Sequence, residues 1–235
     1  MEFLVEYARE FGIELTLAQL ELFETYYREL AAWNERMNLT AITERYQVIV
    51  KHFLDSLSVA LAFRQGAPKS LIDVATGAGF PGLPLKIVYP ATRVTLVEAT
   101  GKKVKFLDHA IAQLNLQDTT PIHARAEDLA HDPNHREKYD VAVARAVAGM
   151  ATLVEYTLPF VHVGGVFIAQ KGVDIDEEMR NATRAVKILG GRVRSIIPVQ
   201  LPELGQRHLV VVEKISKTPP QYPRRAGLPK QEPLN

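Results

Sequence analysis

Apolar residues in the first part of the chain recur every three or four positions, which is the spacing of one face of a helix. The clearest set is Leu17, Leu20, Phe23, Tyr27 and Leu30. Thr16 and Gln19 fit a capping box at the start of this helix. A second periodic set runs over residues 46–61, and Gly66-Ala67-Pro68 ends the pattern. The sequence therefore predicts a helical extension over residues 1–65.

Beyond residue 66 the pattern changes to short apolar runs that alternate with helical stretches. Strands are predicted over residues 71–75, 94–97, 141–144, 166–169 and 209–212, with less clear ones near 121–124 and 193–199. Helices are predicted over residues 82–88, 102–114, 151–156 and 175–189. This alternation is typical of an α/β fold with a doubly wound, mostly parallel sheet, here of seven strands. No long helix separates the last strands, so we expect an antiparallel edge. Residues 66–215 are predicted to form this core domain.

The composition excludes several kinds of catalytic and metal-binding chemistry. The 235 residues are 47% hydrophobic and contain no cysteine, which excludes disulfides, thiolate metal sites and cysteine nucleophiles. No apolar window is long enough for a membrane span, and the acidic first residues do not resemble a signal peptide, so we expect a cytoplasmic protein. Net charge is +1, but residues 214–235 carry five Lys or Arg against one acid. Residues 216–235 form a proline-rich tail, and its last sixteen residues are expected to be partly disordered or strapped on the surface. The tail is either a polyanion contact or a solubilising segment.

A glycine-rich turn after the first predicted strand is the sharpest local signal. Gly77, Gly79 and Gly82 satisfy the G-x-G-x-x-G dinucleotide fingerprint. Pro81 and Pro84, however, remove N–H donors that a pyrophosphate would need. Asp73 precedes the glycines, and its carboxylate would repel a diphosphate but favour a cation. These features favour S-adenosylmethionine, a sulfonium without phosphate, over a nicotinamide dinucleotide, which stays an alternative.

Two acidic segments follow the next predicted strands. Glu98 lies about twenty residues after Gly79, where a carboxylate can accept hydrogen bonds from the ribose hydroxyls of an adenosine. The alternative for Glu98 is a cap on the following helix. Residues 124–128 follow the third strand, next to the expected crevice, and either contact the adenine edge or form an exposed acidic loop.

Arg145 follows the fourth predicted strand, where the reaction site of such a sheet is expected. The chain lacks there the Asn/Asp-Pro-Pro-aromatic run typical of amino methylation, and it lacks the cysteine needed for pyrimidine C5 methylation. Guanine N7 remains, because its lone pair is free at neutral pH. Arg145 would hold a base edge, a phosphate or the cofactor, or else form a salt bridge with Asp73 or a neighbouring acid. His52 and Asp55 form either a dyad or a local hydrogen bond, and the scattered histidines predict no metal site.

The whole set resembles one family, the bacterial 16S ribosomal RNA guanine-N7 methyltransferases, also called glucose-inhibited division protein B. The resemblance spans nearly the full length. It rests on the following segments: Trp33-Asn34, Asn38-Leu39-Thr40-Ala41-Ile42, His52-Phe53-Leu54-Asp55-Ser56-Leu57, Asp73, Gly77-Ala78-Gly79-Phe80-Pro81-Gly82-Leu83-Pro84, Glu98, Lys102-Lys103, Phe106-Leu107, Ala126-Glu127, Arg145-Ala146, Lys171-Gly172, Arg207-His208-Leu209 and Tyr222-Pro223-Arg224-Arg225-Ala226-Gly227.

The resemblance implies a class I, Rossmann-like methyltransferase fold with a helical N-terminal extension. It implies methyl transfer from S-adenosylmethionine to N7 of one guanine in 16S rRNA or the small ribosomal subunit. The cofactor residues expected from residues and resemblance together are Asp73, Ala75, Gly77, Gly79, Phe80, Glu98, Ala126, Glu127 and Arg145. Ala75 departs from the family's usual glycine, which costs little if its φ is negative.

Charge and position suggest the residues that contact RNA. The candidates are Lys102, Lys103, Lys171, Arg207, His208, Arg224 and Arg225. We expect a monomer that needs no metal. Two alternatives stay open at this point: an NAD(P)-dependent oxidoreductase that uses the glycine fingerprint, and a non-enzymatic ribosome-assembly factor that binds RNA.

Overall fold

The computed structural model describes residues 1–63, 66–145, 148–172 and 175–234. The strands are β1 (Ser70–Val74), β2 (Arg93–Glu98), β3 (Thr119–His123), β4 (Tyr139–Arg145), β5 (Val161–Lys171), β6 (Gly191–Leu201) and β7 (Gly205–Lys214). Within the described ranges they form one seven-stranded sheet in the order β3-β2-β1-β4-β5-β7-β6. The first five strands pair in parallel, and β7 runs antiparallel to both β5 and β6. The mostly parallel sheet with an antiparallel edge is confirmed.

The helices of the extension come first along the chain. They are α1 (Glu2–Glu10), α2 (Leu17–Met37), α3 (Arg45–Val48), a π-helical turn (Ile49–Leu54), α4 (Asp55–Leu57) and a 3₁₀ turn (Ser58–Ala62). The capping box of α2 is confirmed, because the Gln19 amide donates to Thr16 Oγ1 and the Thr16 amide donates to Gln19 Oε1. The periodic set over residues 46–61 predicts a plain helix, whereas the chain there changes winding. The difference arises because residues 49–54 form a π-helical turn, which is wider than a turn of an α-helix.

The helices of the core domain follow the strands. They are α5 (Gly82–Val88), α6 (Gly101–Gln113), α7 (Ala126–Leu129), α8 (Met150–Thr157), a 3₁₀ turn (Leu158–Phe160), α9 (Asp176–Ile188) and, in the tail, α10 (Leu228–Gln231). Neighbouring residues of β1 face opposite sides of the sheet, so that Leu71 enters one hydrophobic core and Ile72 the other. The extension, α5 and α6 cover the first face, and α8 and α9 cover the second.

Residues 215–234 pass across the outside of α7 and α8, in agreement with the strapped form of the tail. The guanidinium of Arg136 donates to the carbonyls of Thr218, Pro219 and Tyr222 and fixes the start of this passage. In the described ranges, every helix is too short or too polar to cross a bilayer.

A few expected features fall outside the described residues. They are Arg64 and Gln65, the last two residues of the predicted extension, Ala146 and Val147, which follow Arg145, and Asn235 at the end of the predicted tail.

Candidate functional site

The glycine loop after β1 is built around the carboxylate of Asp73. Its Oδ2 atom accepts hydrogen bonds from the Thr76 hydroxyl at 2.5 Å and from the Gly82 amide at 2.7 Å. These bonds join the start of the loop to the first turn of α5. The phenol of Tyr26 on α2 donates to the carbonyl of Ala78 at 2.5 Å, so the helical extension is bonded to the middle of the loop. The loop is therefore held at both ends and in the middle.

Asp73 itself lies beneath the loop and not on the wall of the crevice. Its side chain is fully buried, and burial raises its pKa to about 7. Its Oδ1 atom is buried without a hydrogen-bond partner among the described residues. The expectation that this carboxylate faces a cationic cofactor directly is therefore corrected, because none of its surface is accessible. Through its bonds to Thr76 and Gly82, Asp73 shapes the glycine loop.

The crevice expected at the carboxyl edge of the sheet is open at Gly77, beside the buried carboxylate of Glu98. Gly77 has φ +64°, and a Cβ built there would meet no described atom within 4 Å. Glu98, at the end of β2, accepts from the Gly77 amide at 3.0 Å and from the Thr100 amide at 2.8 Å, one bond to each oxygen. The capping role of Glu98 is therefore present. Each oxygen has a second lone pair, so this carboxylate is able to accept further hydrogen bonds.

Ala75 has a left-handed backbone, with φ +59°. A residue with a Cβ is disfavoured there by about 1–2 kcal/mol, and glycine is not. The condition under which alanine would cost little, a negative φ, is therefore not met. The turn of the backbone also ends β1 at Val74, one residue before the predicted end.

The other two glycines of the fingerprint are required by packing inside the protein. A Cβ on Gly79 would overlap a leucine of α5 and lie 2.8 Å from the Tyr26 hydroxyl oxygen. A Cβ on Gly82 would overlap the side chain of Leu96 on β2. Gly77 is thus the fingerprint glycine whose missing side chain leaves room for a ligand, while Gly79 and Gly82 let the loop approach the extension and the sheet.

The ring of Phe80 joins the glycine loop to the extension. It stacks on His52 with ring centroids 4.5 Å apart and on Tyr26 with centroids 5.3 Å apart. The guanidinium carbon of Arg145 lies 5.0 Å from the Phe80 centroid. Because the side chain is buried in this stack, a cofactor contact at this position falls to the backbone of Phe80.

Arg145 ends β4 and is bound by the extension. Its Nη1 atom donates to the Lys51 carbonyl at 2.9 Å and to Asp55 Oδ2 at 3.1 Å, and Nη2 donates to His52 Nδ1 at 3.2 Å. The salt-bridge alternative for Arg145 is therefore present, with Asp55 rather than Asp73 as its acid. Asp55 also lies 3.8 Å from Nε of Arg207, measured to Oδ1. One buried carboxylate thus holds two arginines at this edge of the sheet.

His52 is a neutral member of this cluster. Burial lowers its pKa to about 3. Its Nε2 atom is hydrogen-bonded to the Thr40 hydroxyl at 2.8 Å, and its Nδ1 atom lies 3.1 Å from the Lys51 carbonyl and 3.2 Å from Arg145 Nη2. His52 contacts Thr40, Lys51 and Arg145, and within the part of the chain that the structure describes it forms no bond to Asp55. Neither the dyad nor the local hydrogen bond that the sequence suggests is formed.

The Ala126-Glu127 pair opens α7, directly after β3. The Ala124 amide donates to the Glu98 carbonyl at 3.2 Å, which places this segment beside the predicted ribose acid. Glu127 is buried, and its Oε1 atom accepts from the Gly227 amide at 2.8 Å. The segment expected at the adenine edge is therefore also attached to the tail.

The basic residues predicted to contact RNA differ in exposure and in pairing. Lys102 is exposed and Lys103 half-buried in the first turn of α6, near Glu98. Arg207 and His208 begin β7 beside the Arg145 cluster, and His208 Nδ1 bonds to the Gly172 carbonyl. Lys171 is buried, and its amine is bound by Glu178 and by the Ala148 carbonyl. In the tail, Arg224 pairs with buried Glu155, whereas Arg225 is exposed.

Sequence reasoning missed two residues that organise this site. Tyr26 lies outside the periodic set of this helix, which contains its neighbour Tyr27 instead, and its bond to the glycine loop joins residues 52 positions apart. Asp55 was considered only with His52, although its part in the His-Phe-Leu-Asp-Ser string was a usable signal. Among the described residues, no group of three or more His, Asp or Glu side chains is arranged to hold a metal ion.

Comparison with known proteins gives a consistent result. Residues 19–210 match the family model GidB, described as rRNA small subunit methyltransferase G. The chain is 50% identical over 234 residues to the ribosomal RNA small subunit methyltransferase G of Roseiflexus castenholzii, with 100% of each chain covered. It is 55% identical to the protein of the same name from Dehalococcoides mccartyi strain CBDB1, with 95% of each covered.

A solved structure shows the shared fold at much lower identity. The ribosomal protein L11 methylase of Lactobacillus delbrueckii subsp. bulgaricus matches with a TM-score of 0.53 and 14% identity, over 71% of this chain and 79% of that one. The match over residues 19–210 and the full-length relatives settle the family. This chain belongs to the GidB family, the rRNA small subunit methyltransferases G.

Proposed function

We propose that the protein transfers a methyl group from S-adenosylmethionine to N7 of a guanine in small-subunit ribosomal RNA. The observation that carries this proposal is the open space at Gly77, beside the Glu98 carboxylate and at the carboxyl edge of the sheet, in a chain of the rRNA small subunit methyltransferase G family. Membership of a methyltransferase family argues against the nicotinamide alternative. The packing of Gly79 and Gly82 against other residues of the protein also removes the glycine fingerprint as support for a dinucleotide site.

The residues around the crevice fit this methyl donor. Gly77 leaves room for the ligand, and Glu98 has lone pairs for the ribose hydroxyls. The buried, unpaired Oδ1 atom of Asp73 adds negative potential beneath the loop when this carboxyl is ionised, which suits a cation and not a diphosphate. The bound cofactor supplies an electrophilic methyl group on its sulfonium. The backbone at Ala75, Phe80 and Ala126 completes the proposed contacts.

The acceptor chemistry is inferred from the state of the titratable groups near Arg145. His52 is neutral with both ring nitrogens bonded, and Asp55 is occupied by Arg145. Asp73 has no accessible surface, and Glu98 accepts from two backbone amides. We therefore assign none of these groups to the removal of a proton from the substrate. Guanine N7 needs no deprotonation, so positioning and electrostatics are sufficient for its methylation.

Five cationic side chains are proposed to bind RNA phosphates. Lys102 and Arg225 are exposed, whereas Lys103, Arg207 and His208 are half-buried. Lys171 is a weaker candidate because Glu178 neutralises its amine. Arg145, fixed by Asp55 and His52, is proposed to orient the target base from the wall of the site. We further propose that the protein acts as a monomer in the cytoplasm, which sedimentation and fractionation test.

The proposal is tested by incubating the protein with methyl-labelled S-adenosylmethionine and either free 16S rRNA or assembled small subunits. Nucleoside analysis is expected to give labelled 7-methylguanosine in at least one of the two. Label in another nucleoside would contradict the N7 assignment. RNA binding with steep salt dependence, but without label or S-adenosylhomocysteine binding, would favour the non-enzymatic alternative.

A matched pair of variants connects the activity to the crevice. Gly77→Ala and Gly12→Ala both place a methyl group on a left-handed glycine with no described atom within 4 Å of the new Cβ. Gly12 follows α1, in the extension, whereas Gly77 lines the crevice. We expect Gly77→Ala to lose S-adenosylhomocysteine binding and labelling, and Gly12→Ala to keep both. Equal behaviour of the two would remove the crevice from the mechanism.

A further inference from the structure

The tail is fixed to the core domain by bonds that a merely solubilising segment would not need. We call residues 218–231 the C-terminal strap. The strap begins where the Thr218 amide donates to Glu137 Oε1, at 3.0 Å. It ends near α10, where the Thr152 hydroxyl of α8 donates to the Pro229 carbonyl at 3.0 Å.

Arg224 is the most strongly bound residue of the C-terminal strap. Its Nη2 atom donates to Glu155 Oε2 at 2.8 Å and its Nε atom donates to Glu155 Oε1 at 3.0 Å, a two-point pairing. Its backbone amide also donates to Oε1, at 2.7 Å. Glu155 is fully buried on α8, so its charge depends on this arginine for compensation. The guanidinium of Arg224 is thus bound by an acid of the same chain.

Three residues beyond Arg224, the strap reaches the cofactor side of the sheet. The Gly227 amide donates to Glu127 Oε1 at 2.8 Å. Glu127 belongs to the pair that opens α7, and this segment follows the Ala124 amide bonded to the carbonyl of Glu98. The strap therefore attaches to the segment that lies beside the ribose carboxylate.

We propose that Arg224 is a positioning residue for the cofactor pocket and not an RNA contact. By pairing with Glu155 it holds the C-terminal strap in place, and the strap in turn fixes Glu127 and the start of α7 against the adenosine. The neighbouring Arg225 is exposed and lacks this role. This inference rests on the proposed function, because it assumes that the crevice binds S-adenosylmethionine.

Calorimetry with S-adenosylhomocysteine on the full-length chain tests the inference. We expect Arg224→Ala to weaken binding about tenfold or more, Arg224→Lys to restore part of the loss through one bond, and Arg225→Ala to bind within twofold of the unchanged protein. In methyl-transfer assays with Arg224→Ala, the KM for S-adenosylmethionine is expected to rise while kcat at saturating cofactor changes less than twofold. The affinity of this variant for RNA is expected to stay within twofold.

A milder variant keeps the test decisive if Arg224→Ala does not fold. Thr152→Val removes the hydroxyl that binds the strap at Pro229 and keeps the side-chain shape. It is expected to weaken S-adenosylhomocysteine binding several-fold. Wild-type cofactor affinity in both Arg224→Lys and Thr152→Val, or a loss confined to RNA affinity in Arg224→Ala, would overturn the inference. Absence of cofactor binding by the unchanged protein would instead overturn the proposed function.

Discussion

Replacing Ala75 by glycine is expected to stabilise the protein. This residue ends β1 in a left-handed conformation, with φ +59°, at the start of the glycine loop. Its methyl group is half-exposed, so its removal loses little apolar burial. The substitution therefore changes mainly the conformational strain of one residue and the freedom of the unfolded chain.

The two contributions have opposite signs. Relief of the left-handed strain favours the folded state by about 1–2 kcal/mol. The greater freedom of glycine in the unfolded chain opposes folding by about 0.4–1 kcal/mol. The difference predicts a net stabilisation of about 0.5–1 kcal/mol, which corresponds to a rise in Tm of about 1–4 °C for a chain of this length.

Urea denaturation of Ala75→Gly and of the unchanged protein measures this difference as a higher midpoint at equal slope. Ala78→Gly is the matched control, because Ala78 lies in the same loop, is buried, and is outside the left-handed region. It is expected to lose about 1–2 kcal/mol through its methyl group and through chain entropy. Equal destabilisation by both substitutions would refute the strain argument.

Three further outcomes follow from the site. Gly79→Ala is expected to lower the thermal midpoint more than Gly77→Ala does, because its Cβ overlaps packed side chains, whereas Gly77→Ala mainly weakens S-adenosylhomocysteine binding; equal melting shifts would contradict this. Burial raises the pKa of Asp73 in the folded protein to about 7 from 3.8. The stability that the protonated Asp73 gives to the fold is therefore complete below pH 3.8 and is lost as pH rises through 7. Asp73→Asn cannot ionise and is expected to gain stability relative to the unchanged protein between pH 5 and pH 8, measured by urea denaturation at both; a constant difference would disprove the shift. Asp55→Asn leaves Arg145 without its buried acid and is expected to lose about 3 kcal/mol of unfolding free energy, with slower methyl transfer; an unchanged urea midpoint would show that the pair is not needed.

Much of the fold could be predicted from the sequence, because its signals are local. The capping box of Thr16 and Gln19, the alternation of strands and helices, and the antiparallel edge all follow from spacing and composition. The positions of Gly77 and Glu98 at neighbouring strand ends also follow, since parallel strands bring their carboxyl ends to one edge.

The parts that could not be predicted depend on contacts between distant segments. The partner of Arg145 is Asp55, 90 residues earlier, and the periodic pattern over residues 46–61 does not distinguish the π-helical turn before Asp55 from an α-helix. The burial of Asp73 depends on how the loop folds back onto α5. The positive φ of Ala75 could not be deduced either, because alanine does not mark a left-handed position as glycine does.

The bonds of Arg145 have a consequence for how this protein can be divided. Its guanidinium belongs to the sheet, but the carbonyl, imidazole and carboxylate that it binds all come from the extension. A fragment that starts at residue 66 would keep every strand, but Arg145 would lose these three hydrogen-bond partners. Chimeras between family members should therefore take the first 62 residues and the fourth strand from the same parent.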